Sequence, residues 1–368
     1  MPRPTFLIGG NNMDNSVIIR PIQDGEKAAV QRVMRRAFSP PTWLFFSWGK
    51  DVLVAEHAGH IVGGVVLKIF TIKERKVGFV SWLFTDPDAR GLGVGQALVE
   101  GALEFFDAQG CTELSACVEG YNTSSSKVFS TRGFEILSLG EQLRRYGLGI
   151  LPYWWHSFHF IDVGHFLWVK PGAEQPDSPV LQWLGTWLIN TLLLWLAVWR
   201  QGALNPNALW TIPLVFLLLF GLRSLAMLSA AKAQGLAVRF RAWESSTTLV
   251  LGIALAFGSF FPFPGSFYPV GDRWRYRELL PKIGPMALAG TLASLLLTWG
   301  SWAALHWQVA SGLLSFWEML FAIGRMLTLL ETLIVFFPLI SFNGRRIWDW
   351  NRVVWALVSL AAVAVLFV

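Results

Sequence analysis

Ser81–Gln96 reads SWLFTDPDARGLGVGQ. An apolar strand over Gly78–Phe84 runs into a short acidic turn, Thr85–Ala89, then a glycine-rich loop, Arg90–Gly95, and an amphipathic helix over Val94–Asp107. Strand, glycine loop and helix start in this order make an anion cradle. The glycines let backbone N–H groups approach a phosphate, and the helix start adds unpaired donors and the positive end of its dipole.

Spacing separates the kinds of glycine loop. A dinucleotide fold needs GxGxxG and a P-loop needs GxxxxGK[ST]; here the pattern is R-x-x-G-x-G, on Arg90, Gly93 and Gly95, with no Lys after it. This pattern resembles the acetyl-CoA loop of the GNAT acetyltransferase superfamily. The resemblance implies that Gly91, Leu92, Gly93, Val94 and Gly95 hold the pyrophosphate through backbone amides. It also implies that Leu83, Phe84 and Thr85 pair in strand fashion with the pantetheine arm, and it adds Arg90, Gln96, Asn122 and Phe129 to the cofactor-binding set.

The 368 residues divide by composition. Lys plus Arg against Asp plus Glu is 17 to 16 over 1–171 and 13 to 8 over 172–368, and 14 of the 20 Trp lie in the second part. Apolar runs long enough to cross a bilayer are confined to that part as well. The sequence pI near 9.5 therefore reflects basic loops between apolar runs and calls for no nucleic acid. Cys111 and Cys117 fall six apart along one strand and read as buried reduced thiols in a cytosolic setting. Residues 1–15 read as a disordered leader, since Phe6–Ile8 is too short for a secretory core.

Within 16–170 the predicted order is strand (Val17–Ile22), helix (Glu26–Phe38), hairpin (Val52–Glu56 and Ile61–Phe70), the strand and helix around the loop, strand (Glu113–Val118), helix (Thr123–Thr131) and strand (Phe134–Leu137). This is the GNAT order. A second segment, NTSSSKVFSTRGF at Asn122–Phe134, is similar to the family's N-x-x-A-x-x-x-Y-x-x-x-G-F, with Asn122, Gly133 and Phe134 in place. Phe129 stands where many members carry a Tyr that protonates the departing thiolate, so Tyr121 or an ordered water has to replace it. Glu119, at the end of the strand beside the cofactor, is the expected general base, with Glu56, His57 and His165 as rivals. Arg144–Trp155, RRYGLGILPYWW, is expected to lie at the membrane interface with Tyr146, Trp154 and Trp155 at headgroup level, or else to pack on the sheet.

A polar linker, PGAEQPDSP at 171–179, precedes six apolar runs: Val180–Trp199, Ala208–Ala231, Thr247–Phe263, Pro285–Leu305, Gly312–Ile340 and Val353–Val368. If Thr247–Phe263 spans, eight cations face outward. If it dips and returns, ten lie inside and only Arg200 outside, as the positive-inside rule prefers. FPFPG at Phe261–Gly265 supplies the break such a dip needs.

Arg223–Trp243, RSLAMLSAAKAQGLAVRFRAW, resembles the catalytic helix and following segment of the site-2 protease family, HELAHxxxAxxxGxxxxFRAW. Ala289–Leu295 (AGTLASL) and Pro338–Gly344 (PLISFNG) resemble its AGPLxNL and PxxxxDG. The resemblance implies an ancestral zinc site, but Arg223, Ser224 and Met227 occupy the HExxH positions and Asn343 the carboxylate position. A cation, a hydroxyl and a thioether make no hydrolytic zinc site, so no metal ligand is expected. Arg223 is expected either to pair with a carboxylate as a structural tie in place of the metal or to belong to a ligand site, with Glu318, Arg325 and Glu331 the other charges on nearby spans.

The expectation is thus an α/β GNAT fold, a central mixed sheet with flanking helices, over 16–170, followed by an all-α polytopic membrane domain of five or six hydrophobic segments over 180–368. It would move acetyl from acetyl-CoA to an amine at the cytosolic membrane face, in contact with lipid and transmembrane protein partners. The alternative is a regulatory membrane pseudoprotease that clamps transmembrane partners while the GNAT domain senses acetyl-CoA without turnover.

Overall fold

The computed structural model describes residues 6–8, 17–172, 178–271 and 274–368. The chain forms two compact units. One comprises 1–118, 124–159 and 167–175, the other 119–123, 160–166 and 176–368. Five residues of the expected linker, 173–177, lie outside the described residues.

The first unit is built on an eight-stranded sheet in the order β1-β2-β3-β4-β5-β6-β8-β7. The strands are β1 (Phe6–Ile8), β2 (Val17–Pro21), β3 (Asp51–His57), β4 (His60–Ile72), β5 (Arg75–Thr85), β6 (Glu113–Glu119), β7 (Glu135–Ile136) and β8 (His165–Lys170). Neighbours from β1 to β5 are antiparallel, and β5 with β6 is parallel. Three residues of the stretch read as a disordered leader, Phe6–Ile8, thus form a strand on β2; the rest of that stretch lies outside the described residues.

Helices α1 (Lys27–Ala37) and α2 (Pro40–Trp43) precede β3, α3 (Val94–Ala108) links β5 to β6, and α4 (Thr123–Ser130) precedes β7. In α1 the residues at helical spacing, Val30, Val33 and Met34, are buried against Val52, Val54, Val66 and Phe84. Between β7 and β8 come α5 (Leu139–Tyr146) and α6 (Ile150–Ser157). Tyr146, Tyr153 and Trp154 are core residues there, packed with Phe70, Phe79 and Leu167. This corrects the interfacial expectation for Tyr146 and Trp154: their apolar bodies are needed to cover the sheet, and only Trp155 of the three is exposed.

One local irregularity shapes the sheet. The β4–β5 register shifts between Val66 and Leu67, which pair with Trp82 and Val80, so Ser81 is a bulged extra residue. Pairing of β5 with β6 stops at the same level, at Val80↔Ala116. Trp82–Thr85 stay on β4 while β6 continues unpaired with them, and the two parallel strands open.

The second unit is helical: α7 (Pro179–Arg200), α8 (Pro206–Ala233), α9 (Ser245–Phe257), α10 (Tyr276–His306), α11 (Leu314–Leu333), α12 (Asn343–Trp350) and α13 (Arg352–Ala364). Helices α7, α8 and α10 are long and apolar enough to cross a membrane; α9 and Arg352–Phe367 are shorter apolar helices. Two short strands, β9 (Val238–Arg241) and β10 (Ser266–Pro269), pair antiparallel on either side of α9. The chain from 242 to 265 therefore leaves from and returns to one place. With 13 residues, α9 is about 20 Å long, short of the ~30 Å of hydrocarbon.

Candidate active site

The loop at Arg90–Gly95 follows from its glycines. Gly91 and Gly93 have φ of +90° and +74°, a region that L side chains enter only with strain. A Cβ at either would meet nothing within 4 Å, so backbone conformation, rather than crowding, requires glycine here. Gly93 is the N-cap of α3, and no side chain caps that end; the first-turn N–H groups are left to solvent or a ligand. Arg90–Gly93 are exposed and Val94 is buried, so the loop is anchored at its helical end.

The acidic turn secures the other end. Asp86 accepts from the Asp88 N–H and from Arg36 of α1, at 3.0 and 2.9 Å, and Arg36 also reaches Asp88 at 2.6 Å. Behind α3, Arg132 donates to the Gln96 carbonyl and pairs with Glu100 at 2.5 Å. Leu83 and Thr85 lie half-buried on the part of β5 that has left β6, while Phe84 points into the core. Phe129 is buried, its ring against Phe134 at 5.2 Å between centroids. Loop, opened strand and Phe129 thus fall in one unit. A cavity of about 520 Å³ between α1, the β3–β4 hairpin and the acidic turn is lined by Arg32, His57, His60 and Leu92, among others.

Glu119, Tyr121 and Asn122 fall in the other unit. Glu119 accepts from Arg346 at 2.5 Å, from the Ser341 hydroxyl at 3.0 Å and from the Tyr121 N–H at 2.8 Å. Tyr121 is buried, donates its hydroxyl to the Phe267 carbonyl at 2.8 Å, and lies under the Arg346 guanidinium at 3.9 Å. Burial raises its hydroxyl pKa, with Arg346 opposing. Asn122 is exposed just before α4. Of the rivals, Glu56 pairs with Arg20 at 2.7 Å, and His165 shares a hydrogen bond with the Asp162 carbonyl at 3.0 Å.

A pair not singled out in the sequence joins Cys117 of β6, beside the strand opening, to His159, between α6 and β8. Cys117 Sγ and His159 Nδ1 share a hydrogen bond at 3.4 Å. Cysteine count and spacing could not reveal it, because the partner lies 42 residues away.

In the second unit, the positions matching HExxH are held by Arg223, Ser224 and Met227. Arg223 and Glu331 are fully buried and paired at 2.6 Å, and Asn343 donates to the same carboxylate oxygen at 3.1 Å. Arg223 also donates to the Gly265 carbonyl at 3.2 Å. A guanidinium can only donate, so Arg223 cannot be a zinc ligand at the first of these positions.

The family model described as Acetyltransferase (GNAT) family matches residues 26–134. This segment is a GNAT acetyltransferase domain. The chain is also similar to "Putative zinc metalloprotease MJ0611" of Methanocaldococcus jannaschii, 29% identical over 135 residues, which is 37% of this chain and 67% of that protein. Among solved structures the chain is similar to an IAA acetyltransferase from Bacillus cereus, at 22% identity and TM-score 0.29, over 33% of this chain and 79% of that one. It is also similar to the ribosomal-protein-S18-alanine N-acetyltransferase of Escherichia coli, at 16% identity and TM-score 0.29 over the same shares. The family match, not these distant likenesses, identifies the GNAT segment.

Proposed function

We propose that the chain is a membrane-anchored N-acetyltransferase that moves acetyl from acetyl-CoA to an amine at the cytosolic face. The observation that carries this is the coincidence, inside the matched segment, of an open uncapped glycine loop with a strand that has parted from its neighbour. The pyrophosphate would rest on the N–H groups of Gly91–Gly95, flanked by Arg90 and Gln96. The pantetheine arm would add to β5 along Leu83–Thr85, with Asn122 and Phe129 bordering it. In this proposal Glu119 takes the proton of the acceptor amine and Tyr121 serves the departing thiolate. Calorimetry with acetyl-CoA, then assays of free CoA release with a pool of amines, tests it; absence of acetyl-CoA affinity would sink it.

Residues 180–368 serve in this proposal as anchor, with 171–179 as linker. The pairing of β9 with β10 supports a re-entrant 247–263, which puts ten cations inside and leaves Arg200 outside when the GNAT domain is cytosolic. Lipid and transmembrane partners would meet this half. We infer no proteolysis, because Arg223, Ser224, Met227 and Asn343 stand where the resemblance places the zinc-site residues; protease assays on detergent-solubilised protein test this.

One observation favours a second reading, an acetyl-CoA sensor without turnover. Glu119 and Tyr121 are both fully engaged with Arg346, Ser341 and the Phe267 carbonyl. Acetyl-CoA binding without CoA release in any acceptor pool would select it.

A further inference from the structure

We propose that Cys117 and His159 form a nucleophilic pair through which the acetyl group passes as an S-acetyl-cysteine; this rests on the acetyl-CoA reading above. Cys117 is the first residue of β6 beyond the last pair with β5, Val80↔Ala116. It stands at the apex of the strand opening, half-buried, where the thioester would follow the pantetheine arm. His159 is fully buried and its main chain is fixed, its N–H donating to the Trp154 carbonyl at 3.0 Å. Its Nδ1 lies within hydrogen-bond reach of the thiol, the arrangement of an activated nucleophile and its base.

Lys68 lies close to the chain just before His159. The Lys68 ammonium lies over the Phe158 ring at 4.1 Å and donates to the His156 carbonyl at 3.3 Å. Burial lowers its pKa, and interaction with Cys117 opposes that lowering.

The steps balance. His159 takes the thiol proton and the Cys117 thiolate attacks the thioester carbonyl. The bond from that carbon to the CoA sulfur breaks, and CoA leaves as its thiol with the proton from His159. The neutral acceptor amine then attacks the acetyl-cysteine, forming the amide and returning Cys117, with the amine proton passing to the base. In the relay His159, in place of Tyr121, protonates the departing CoA sulfur and so supplies the acid that Phe129 cannot.

Such a relay exchanges label between CoA and acetyl-CoA with no acceptor present; direct transfer does not. With the full-length protein in detergent, labelled CoA and acetyl-CoA, wild type is expected to show exchange, and acid-quenched protein an acetyl group on Cys117 that neutral hydroxylamine removes. Cys117→Ser is expected to bind acetyl-CoA with unchanged affinity by calorimetry and to lose exchange about 100-fold or more. Wild-type protein that binds acetyl-CoA yet shows no exchange, or Cys117→Ser that exchanges normally, overturns the relay alone. Wild-type protein that does not bind acetyl-CoA overturns the acetyltransferase reading, and the relay with it.

Discussion

The loop at Arg90–Gly95 and the pair at Arg223–Glu331 are both polar centres that follow family motifs, and they are built in opposite ways. The loop offers uncapped backbone donors to open space, with room around every glycine. The pair is fully buried, and its members bond to each other, to Asn343 and to the Gly265 carbonyl. The first centre is open to a ligand from solvent; the second is closed off from it.

The sharpest break between the two comes from removing one member of the buried pair. Arg223→Met leaves a carboxylate with no cation in a dry interior, and should lower stability by about 3–5 kcal/mol, seen as a drop in Tm in detergent. Arg223→Met with Glu331→Met should recover most of this, since no unpaired charge remains. Acetyl-CoA affinity of the recovered double variant should match wild type.

The reverse experiment is Gly93→Val. A β-branched residue at φ +74° costs about 1–3 kcal/mol of local strain, so the loop should rearrange. Calorimetry is expected to show acetyl-CoA affinity down at least about tenfold, while the Tm of the membrane unit stays unchanged. Retained affinity would show that the cradle is misassigned.

Glu113, on β6 within the first unit, tests whether burial there behaves as in the closed pair. Its carboxyl accepts from Tyr146 at 2.6 Å, with Arg145 and Arg75 at 3.5 and 3.6 Å, yet burial dominates and raises its pKa above the usual 4.5. A raised folded pKa means the folded state holds the proton more tightly. The contribution is complete below about pH 4.5 and is lost as pH rises through the folded value. Glu113→Gln should therefore flatten the fall in stability above pH 4.5, measured by denaturant unfolding across pH. The smallest effect is expected from Arg36→Ala, which frees the acidic turn from α1 and should weaken acetyl-CoA binding less than about fivefold, because the pair is half-exposed.

Much of this was legible in the sequence because it is local. R-x-x-G-x-G, the strand before it and the helix after it lie within one short stretch, and glycine spacing reports backbone conformation directly. The loss of the zinc ligands was equally plain from Arg223, Ser224, Met227 and Asn343. The partner of Arg223 was left open between the carboxylates Glu318 and Glu331, and only packing selected Glu331, 108 residues away. Likewise Arg144–Trp155 is amphipathic in a way that suits an interface or a core, and composition does not distinguish the two.

By itself, the sequence determined the loop, the order of elements, the apolar spans and the absence of the HExxH ligands, all set by residue type at fixed short spacing. Tertiary structure decided the bulge at Ser81 that opens β5 from β6, the return of the 242–265 excursion, the partners of Glu119 and Tyr121, and the meeting of Cys117 with His159. These depend on contacts between residues far apart in the chain, whose pairing is set by the whole fold.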